Sequence, residues 1–228
     1  MSRIVLPELL DTLPPTDPRA LRSRADLRRL NWLMRHVDII CFEATILQTQ
    51  PPRRIVELGA GDGTQMLAIA RKLRKRWPGV HVTLVDRQNT VPAEILDGFQ
   101  EFGWSAEAIT ADAFEWLESS EGCDLLVANL FLHHFDDEQL TEMLRLIAAR
   151  TTSFVACESR RTLPSLFISR LLWLFGCNAV TRHDGRLSIQ AGFAGQEFSM
   201  LWPEKDHWKL RERGAILFTH VFSAQRIR

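Results

Sequence analysis

Apolar positions change period several times along the chain, and each change marks an element. Residues 1–22, interrupted by Pro7, Pro14, Pro15 and Pro18, read as irregular. From about Asp26 to Gln48, apolar side chains recur at Leu27, Leu30, Met34, Val37, Cys41, Ala44 and Leu47. This is the spacing of one amphipathic helix, and Pro51-Pro52 ends it. Arg54–Leu58 reads as a strand. A Gly-rich turn and a helix to Trp77 follow, then a strand from Val80 to Asp86, a helix over 92–102 and a short strand over 105–110. Residues 123–129 are an apolar strand, 136–150 a helix opened by Asp136 and Asp137, and 152–157 another apolar strand. Strands alternating with helices predict βαβ units, a mostly parallel sheet and helices on both of its faces.

After Glu158 the pattern changes. Residues 164–175 are densely apolar, interrupted by Arg170, and 188–201 read as a helix. Residues 207–213 and 216–226 read as two strands around Gly214. They are too close for a helical crossover and so form an antiparallel hairpin. The chain is expected to be one α/β domain. It comprises an N-terminal helical extension (1–50), a ligand-binding core (53–158), a helical cap insert (159–203) and the hairpin (204–228). The apolar stretch 164–175, with Trp202 and Trp208, either packs the cap against the N-terminal helix or lines a pocket for an aromatic or lipid-like molecule.

Composition narrows the classes. The 228 residues balance 28 Lys plus Arg against 28 Asp plus Glu. Zero net charge argues against broad nucleic-acid binding. Arg19, Arg22, Arg24, Arg28 and Arg29 form a local basic cluster, read as a solvated helix face. Cys41, Cys123, Cys157 and Cys177 are widely spaced and form no metal-ligand pattern, which fits a cytoplasmic protein. No signal peptide or membrane span is expected. The oligomeric state is left open, with a homodimer among the options.

The candidate chemistry lies at strand ends. Val56-Glu57-Leu58-Gly59-Ala60-Gly61-Asp62-Gly63 ends a strand in an acid and then spaces glycines two apart, unlike the G-x-G-x-x-G of dinucleotide turns. Glu57 suits a cationic or hydroxyl-rich ligand rather than a pyrophosphate. Asp86 ends the next strand, where a carboxylate can accept from ribose hydroxyls. Asp112 follows the third strand, where an acid can accept from an adenine amino group. Asn129-Leu130 leads from the fourth strand into Phe131-Leu132-His133-His134-Phe135. All four fall on the carboxyl edge, where ligands bind in such sheets.

On these stretches the chain resembles the class I S-adenosylmethionine-dependent methyltransferases over roughly residues 53–158. The resemblance implies a Rossmann-like seven-stranded sheet whose last strand is inserted antiparallel. It also implies that Glu57, Gly59, Ala60 and Gly61 surround the methionine part of S-adenosylmethionine. Asp86 then holds the ribose, Arg87 stacks beside the adenine, Asp112 and Ala113 meet its edge, and Asn129 and Leu130 form the floor. Metal-dependent catechol methyltransferases resemble this fold too, but no acid stands beside Asn129, so no metal is expected.

Methyl transfer to an oxygen benefits from a histidine base. His133 is the candidate catalytic and substrate-contacting residue; His134, His207 and His220 are read as structural. Arg160, Arg161 and Arg182 are candidates for a substrate carboxylate or hydroxyl. The reading favours methylation of a small, largely apolar metabolite, phenolic or polyketide-like, at oxygen, as in secondary metabolism. The alternatives are carbon or nitrogen methylation of a quinone or similar metabolite, a non-catalytic cofactor-binding protein, and a macromolecule methyltransferase using the Arg-rich helix.

Overall fold

The computed structural model describes residues 1–14, 16–215 and 218–227. Its strands are β1 (Arg54–Leu58), β2 (His81–Asp86), β3 (Ser105–Thr110), β4 (Leu125–Asn129), β5 (Ser153–Ser159), β6 (Trp208–Gly214) and β7 (Thr219–Arg226). They form one seven-stranded sheet in the order β3-β2-β1-β4-β5-β7-β6. The β1–β5 pairings are parallel, whereas β7 runs antiparallel to both β5 and β6. The expected sheet and terminal hairpin are therefore present. Residues 216 and 217 of the expected last strand, and Pro15, lie outside the described residues. The strand order reverses between β1 and β4, which opens a crevice at their carboxyl ends.

Alternation along the strands divides the core into two faces. Ile55, Val82, Leu84, Leu125, Val127 and Val155 pack beneath α3 (His36–Leu47), α4 (Thr64–Leu73) and α5 (Ala93–Gln100). Val56, Leu58, Leu126, Ala128, Phe154 and Phe222 pack beneath α6 (Ala113–Ser119), α7 (Asp137–Arg150) and α10 (Glu197–Leu201). Asp136 caps α7 in a reciprocal capping box with Gln139.

Three local expectations need correction. The N-terminal segment is irregular over residues 1–8, but α1 (Leu9–Thr12) lies within it and α2 (Pro18–Leu33) begins there. Asp17 caps α2, and Pro18 occupies its first turn, where the missing N–H costs nothing. The single long helix is in fact α2 and α3, broken at Arg35 with φ 55°. The two pieces bury different surfaces. α2 turns Ala20, Ser23 and Asp26 inward and packs on α9 (Ala179–Ala191), while α3 turns Ile39, Ile40, Ala44 and Leu47 toward β5 and α4. The helix expected over 188–201 is likewise two, α9 and α10. They part at Gly192, where a Cβ would lie 2.2 Å from the Ser159 carbonyl oxygen.

The apolar stretch 164–175 divides into α8 (Leu163–Ser169) and a 3-10 turn, Leu172–Phe175. Phe167, Trp173 and Leu174 are 62%, 57% and 59% exposed, so much of it is not cap packing. Trp202 and Trp208 belong to the sheet core instead. Trp202 stacks on Phe154 at 5.6 Å and meets Trp208 edge-on at 5.0 Å. Trp202→Ala should therefore cost about 3–5 kcal/mol, whereas Trp173→Ala should stay within about 0.5 kcal/mol. Urea midpoints measure both, and equal losses would refute this division between core and surface.

Candidate active site

The turn after β1 takes left-handed backbone at Gly59 (φ 67°) and Gly61 (φ 56°), a conformation glycine adopts without steric cost. A Cβ on Gly59 would meet the Phe131 ring at 2.3 Å, whereas one on Gly61 would meet nothing within 4 Å. The turn is thus pressed against Phe131 on one side and open on the other. The Asp86 carboxylate accepts from Gly61 N at 2.9 Å and Gln88 N at 2.8 Å, which sets the end of β2 against the turn.

Glu57 dominates the electrostatics of this crevice. It is 2% exposed, and its Oε2 has no hydrogen-bond partner. Burial first, then the charges of Asp62 and Asp86, push its carboxyl up to about 8. A buried acid without a partner beside two further acids is a site for a positively charged ligand. Asn129, whose buried Oδ1 is also unpartnered, stands at the end of the neighbouring β4. Asp112 accepts from Phe114 N at 2.8 Å and so caps α6. Ala113 is buried in the core, and Arg87 is exposed.

The acceptor side is built by the turn after β4. Leu130 adopts φ 51°, a strained angle for leucine. Glu158, fully buried at the end of β5, accepts from Phe131 N at 2.9 Å and Leu132 N at 2.7 Å. Its other oxygen lies 2.7 Å from His133 Nδ1. Burial opposes a charge on His133, but Glu158 and Glu8 outweigh it and raise the imidazole to about 10. His133 Nε2 is buried without a hydrogen-bond partner.

The structure places the remaining candidates differently. Arg161 is buried and committed to Met1 O, Gly192 O and Glu197, so its guanidinium fastens the chain terminus to the cap. Arg160 is exposed, and a Cβ on Gly214 would meet its guanidinium. Arg182 lines an open cavity of about 670 Å³ with Ile4, Leu6, Trp173 and Arg186; no residue of the glycine turn borders it. The basic cluster is largely spent on this chain: Arg19 pairs with Asp17, Arg28 with Asp62 and Arg29 with Asp26, and Arg24 donates to Gln88.

Sequence reasoning missed Glu8, the role of Glu158, and His36. Glu8 approaches His133 and His134 from a proline-flanked stretch that carries no recognisable signal. His36 is fully buried, held neutral by desolvation with its pKa lowered to about 4, and bonded to Thr219 at 3.0 Å.

A family model described as a methyltransferase domain matches residues 55–152. Among solved structures, the plantazolicin methyltransferase BpumL in complex with SAH is similar at 14% identity and TM-score 0.67, covering 93% of this chain and 92% of that one. An O-methyltransferase family protein from Burkholderia thailandensis is similar at 16% identity and TM-score 0.65, covering 92% of this chain. The pyocyanin biosynthetic protein PhzM follows at 18% identity and TM-score 0.58, covering 93%. This chain spans 60% of the length of each of the latter two. No curated protein matches it. Among the described residues, no helix is long and apolar enough to cross a membrane.

The unpaired acid gives a signed expectation. Because burial raises the folded-state pKa of Glu57, its contribution to stability is fully present below about pH 4.5 and is lost as pH rises through about 8. Glu57→Gln should therefore stabilise the ligand-free protein at pH 9, by a few kcal/mol at about 1.4 kcal/mol per pKa unit. The gain should shrink toward pH 5. Denaturant titrations across this range measure it, and a gain independent of pH would contradict the assignment.

Proposed function

Residues 55–152 form a class I S-adenosylmethionine-dependent methyltransferase domain, and on that premise we propose that the chain methylates an oxygen of a small, largely apolar metabolite, phenolic or polyketide-like. The observation that carries the cofactor half is the unpartnered Glu57 carboxyl beside the open side of Gly61. A cationic ligand supplies what this crevice lacks. The cofactor brings a methyl group on a cationic sulfur, and the protein's part is to hold and align it.

In this reading Glu57, Gly59, Ala60 and Gly61 hold the amino-acid portion. Asp86 holds the ribose, with Arg87 beside the base. Asp112 keeps one oxygen for the adenine edge, since Phe114 N uses the other, and Ala113 backs that edge. Asn129 and Leu130 form the floor.

The cover over the carboxyl edge favours a small acceptor. α1 and α2 lie over the carboxyl edge, where Arg28 reaches Asp62 of the glycine turn and Arg24 reaches Gln88. That cover leaves little room for a macromolecule. Oxygen is favoured because His133, oriented by Glu158, presents an Nε2 that makes no hydrogen bond and has Glu8 3.4 Å away. With Glu158 and Glu8 raising it to about 10, the charged imidazole can hold a phenolate-type oxygen by hydrogen bond and charge.

The test is turnover of S-adenosylmethionine against phenolic and quinone-like compounds. His133→Ala should lower kcat by about 10²-fold or more with cofactor affinity unchanged. Glu57→Gln should instead weaken cofactor binding by about tenfold or more. Full activity in His133→Ala would move the reading to a carbon or nitrogen acceptor. Failure of the parent protein to bind S-adenosylmethionine would end it.

A further inference from the structure

Two adjacent histidines and a glutamate from a distant part of the chain meet beside the turn after β4. His133 and His134 stack with ring centroids 4.3 Å apart. Each ring has its Nδ1 engaged, that of His133 with the Glu158 carboxylate at 2.7 Å and that of His134 with the Phe131 carbonyl oxygen at 2.8 Å. Both rings are thereby fixed in the tautomer that leaves Nε2 free. This is how metal-ligating histidines are oriented, with the second nitrogen tied to a carboxylate or backbone carbonyl.

Both free nitrogens face one carboxylate. His133 Nε2 lies 3.4 Å from Glu8 Oε1, and His134 Nε2 lies 3.6 Å from Glu8 Oε2. Asp11 Oδ2 is also 3.6 Å from His134 Nε2. These separations exceed good hydrogen bonds. They are close to the edge of a tetrahedron of N and O ligands about 2.0–2.1 Å from a central ion, which is roughly 3.3–3.4 Å. His133 is 3% exposed, and its Nε2 has no hydrogen-bond partner.

We propose that Glu8, His133 and His134, with Asp11 as a fourth ligand, bind one zinc-type divalent cation that clasps the N-terminal segment to the turn after β4. Ligand atoms of the first three lie within 4.8 Å of one another. Neutral imidazole with carboxylate is the donor set that zinc and its neighbours prefer. Glu8 is positioned independently of any ion. Ser188 donates to it, the buried Asp184 accepts from Leu9 N and Leu10 N at 2.9 Å each, and Arg3 donates to Phe135 O at 2.6 Å. The ion thus enters a prebuilt site and adds a further link between two segments already joined by Arg3. It is a different centre from the catechol-type metal site considered above, because its acid comes from α1's flank and not from the end of a strand.

The inference goes beyond the proposed function, and because an ion on His133 Nε2 takes the nitrogen given to the acceptor above, the two uses of that atom alternate; ion binding is therefore tested without the cofactor. The full chain, stripped with a chelator, is titrated with Zn²⁺ by calorimetry and with Co²⁺ by visible absorption. One ion per chain, with the intense absorption of tetrahedral Co²⁺, is expected. Glu8→Gln and His134→Ala, both altering partly solvent-reached side chains, should weaken Zn²⁺ binding by tenfold or more while circular dichroism stays unchanged. His81→Ala, at the amino end of β2, should bind as the parent does. A folded parent that takes up no Zn²⁺, or equal affinity in Glu8→Gln and His134→Ala, would overturn the site and leave the cluster as a protonated ion-pair network. A chain that binds Zn²⁺ but methylates no acceptor would remove the proposed function and leave this inference standing.

Discussion

The buried carboxylate of Glu158 is the interaction on which the acceptor side depends. A charge in such a place costs several kcal/mol in desolvation, and here it is offset by two backbone N–H groups and an imidazole. Burial raises its carboxyl, but His133 and the two amides outweigh this and hold it below the usual range. The three contacts lock the chain from Phe131 to His133 and so sustain the left-handed backbone of Leu130 just before them. Phe131 in turn lies against Gly59, which leaves no room there for a side chain. One carboxylate at the end of β5 therefore sets the geometry of two turns, one after β4 and one after β1.

Glu57 is the counterpart. It too is a buried glutamate near a strand's carboxyl end, yet nothing in the protein satisfies its Oε2. The contrast separates two uses of one residue type. Glu158 is saturated by the protein and organises it, whereas Glu57 is left short of a partner and destabilised by Asp62 and Asp86. An unsatisfied buried acid is tolerated where a ligand completes it. The same deficit that weakens the free protein is what a cation gains on binding.

Much of this was legible along the chain, for physical reasons. The core strands are continuous apolar runs because both their faces are covered, and the acids and glycines after them sit where the backbone must turn. The Arg35 break was not legible, since apolar spacing on either side of it is compatible with one stripe even though α2 and α3 bury different surfaces. Arg161 followed a strand end and so looked available, but Met1 and Glu197, remote in sequence, had already claimed it. Glu8 left no trace at all. Its meaning comes only from the fold bringing it against His133 and His134.

The cover over the site is held unevenly, and the unevenness bears on how it works. At the α2 end it is attached to the crevice by Arg24 on Gln88 and by Arg28 and Asp62, the side chains of the last pair being 49% and 19% exposed. Such a pair contributes about 0–1 kcal/mol. At the other end Arg3, only 8% exposed, lies over Phe193 and donates into the turn after β4, and Arg161 grips Met1 from below. Removing buried, charge-assisted contacts of that kind costs more than breaking a surface pair. The stiff end lies against His133 and the weak end against the glycine turn. Local opening follows the weaker contacts, so the cofactor side is the part of the cover that yields first, while the acceptor side keeps its shape.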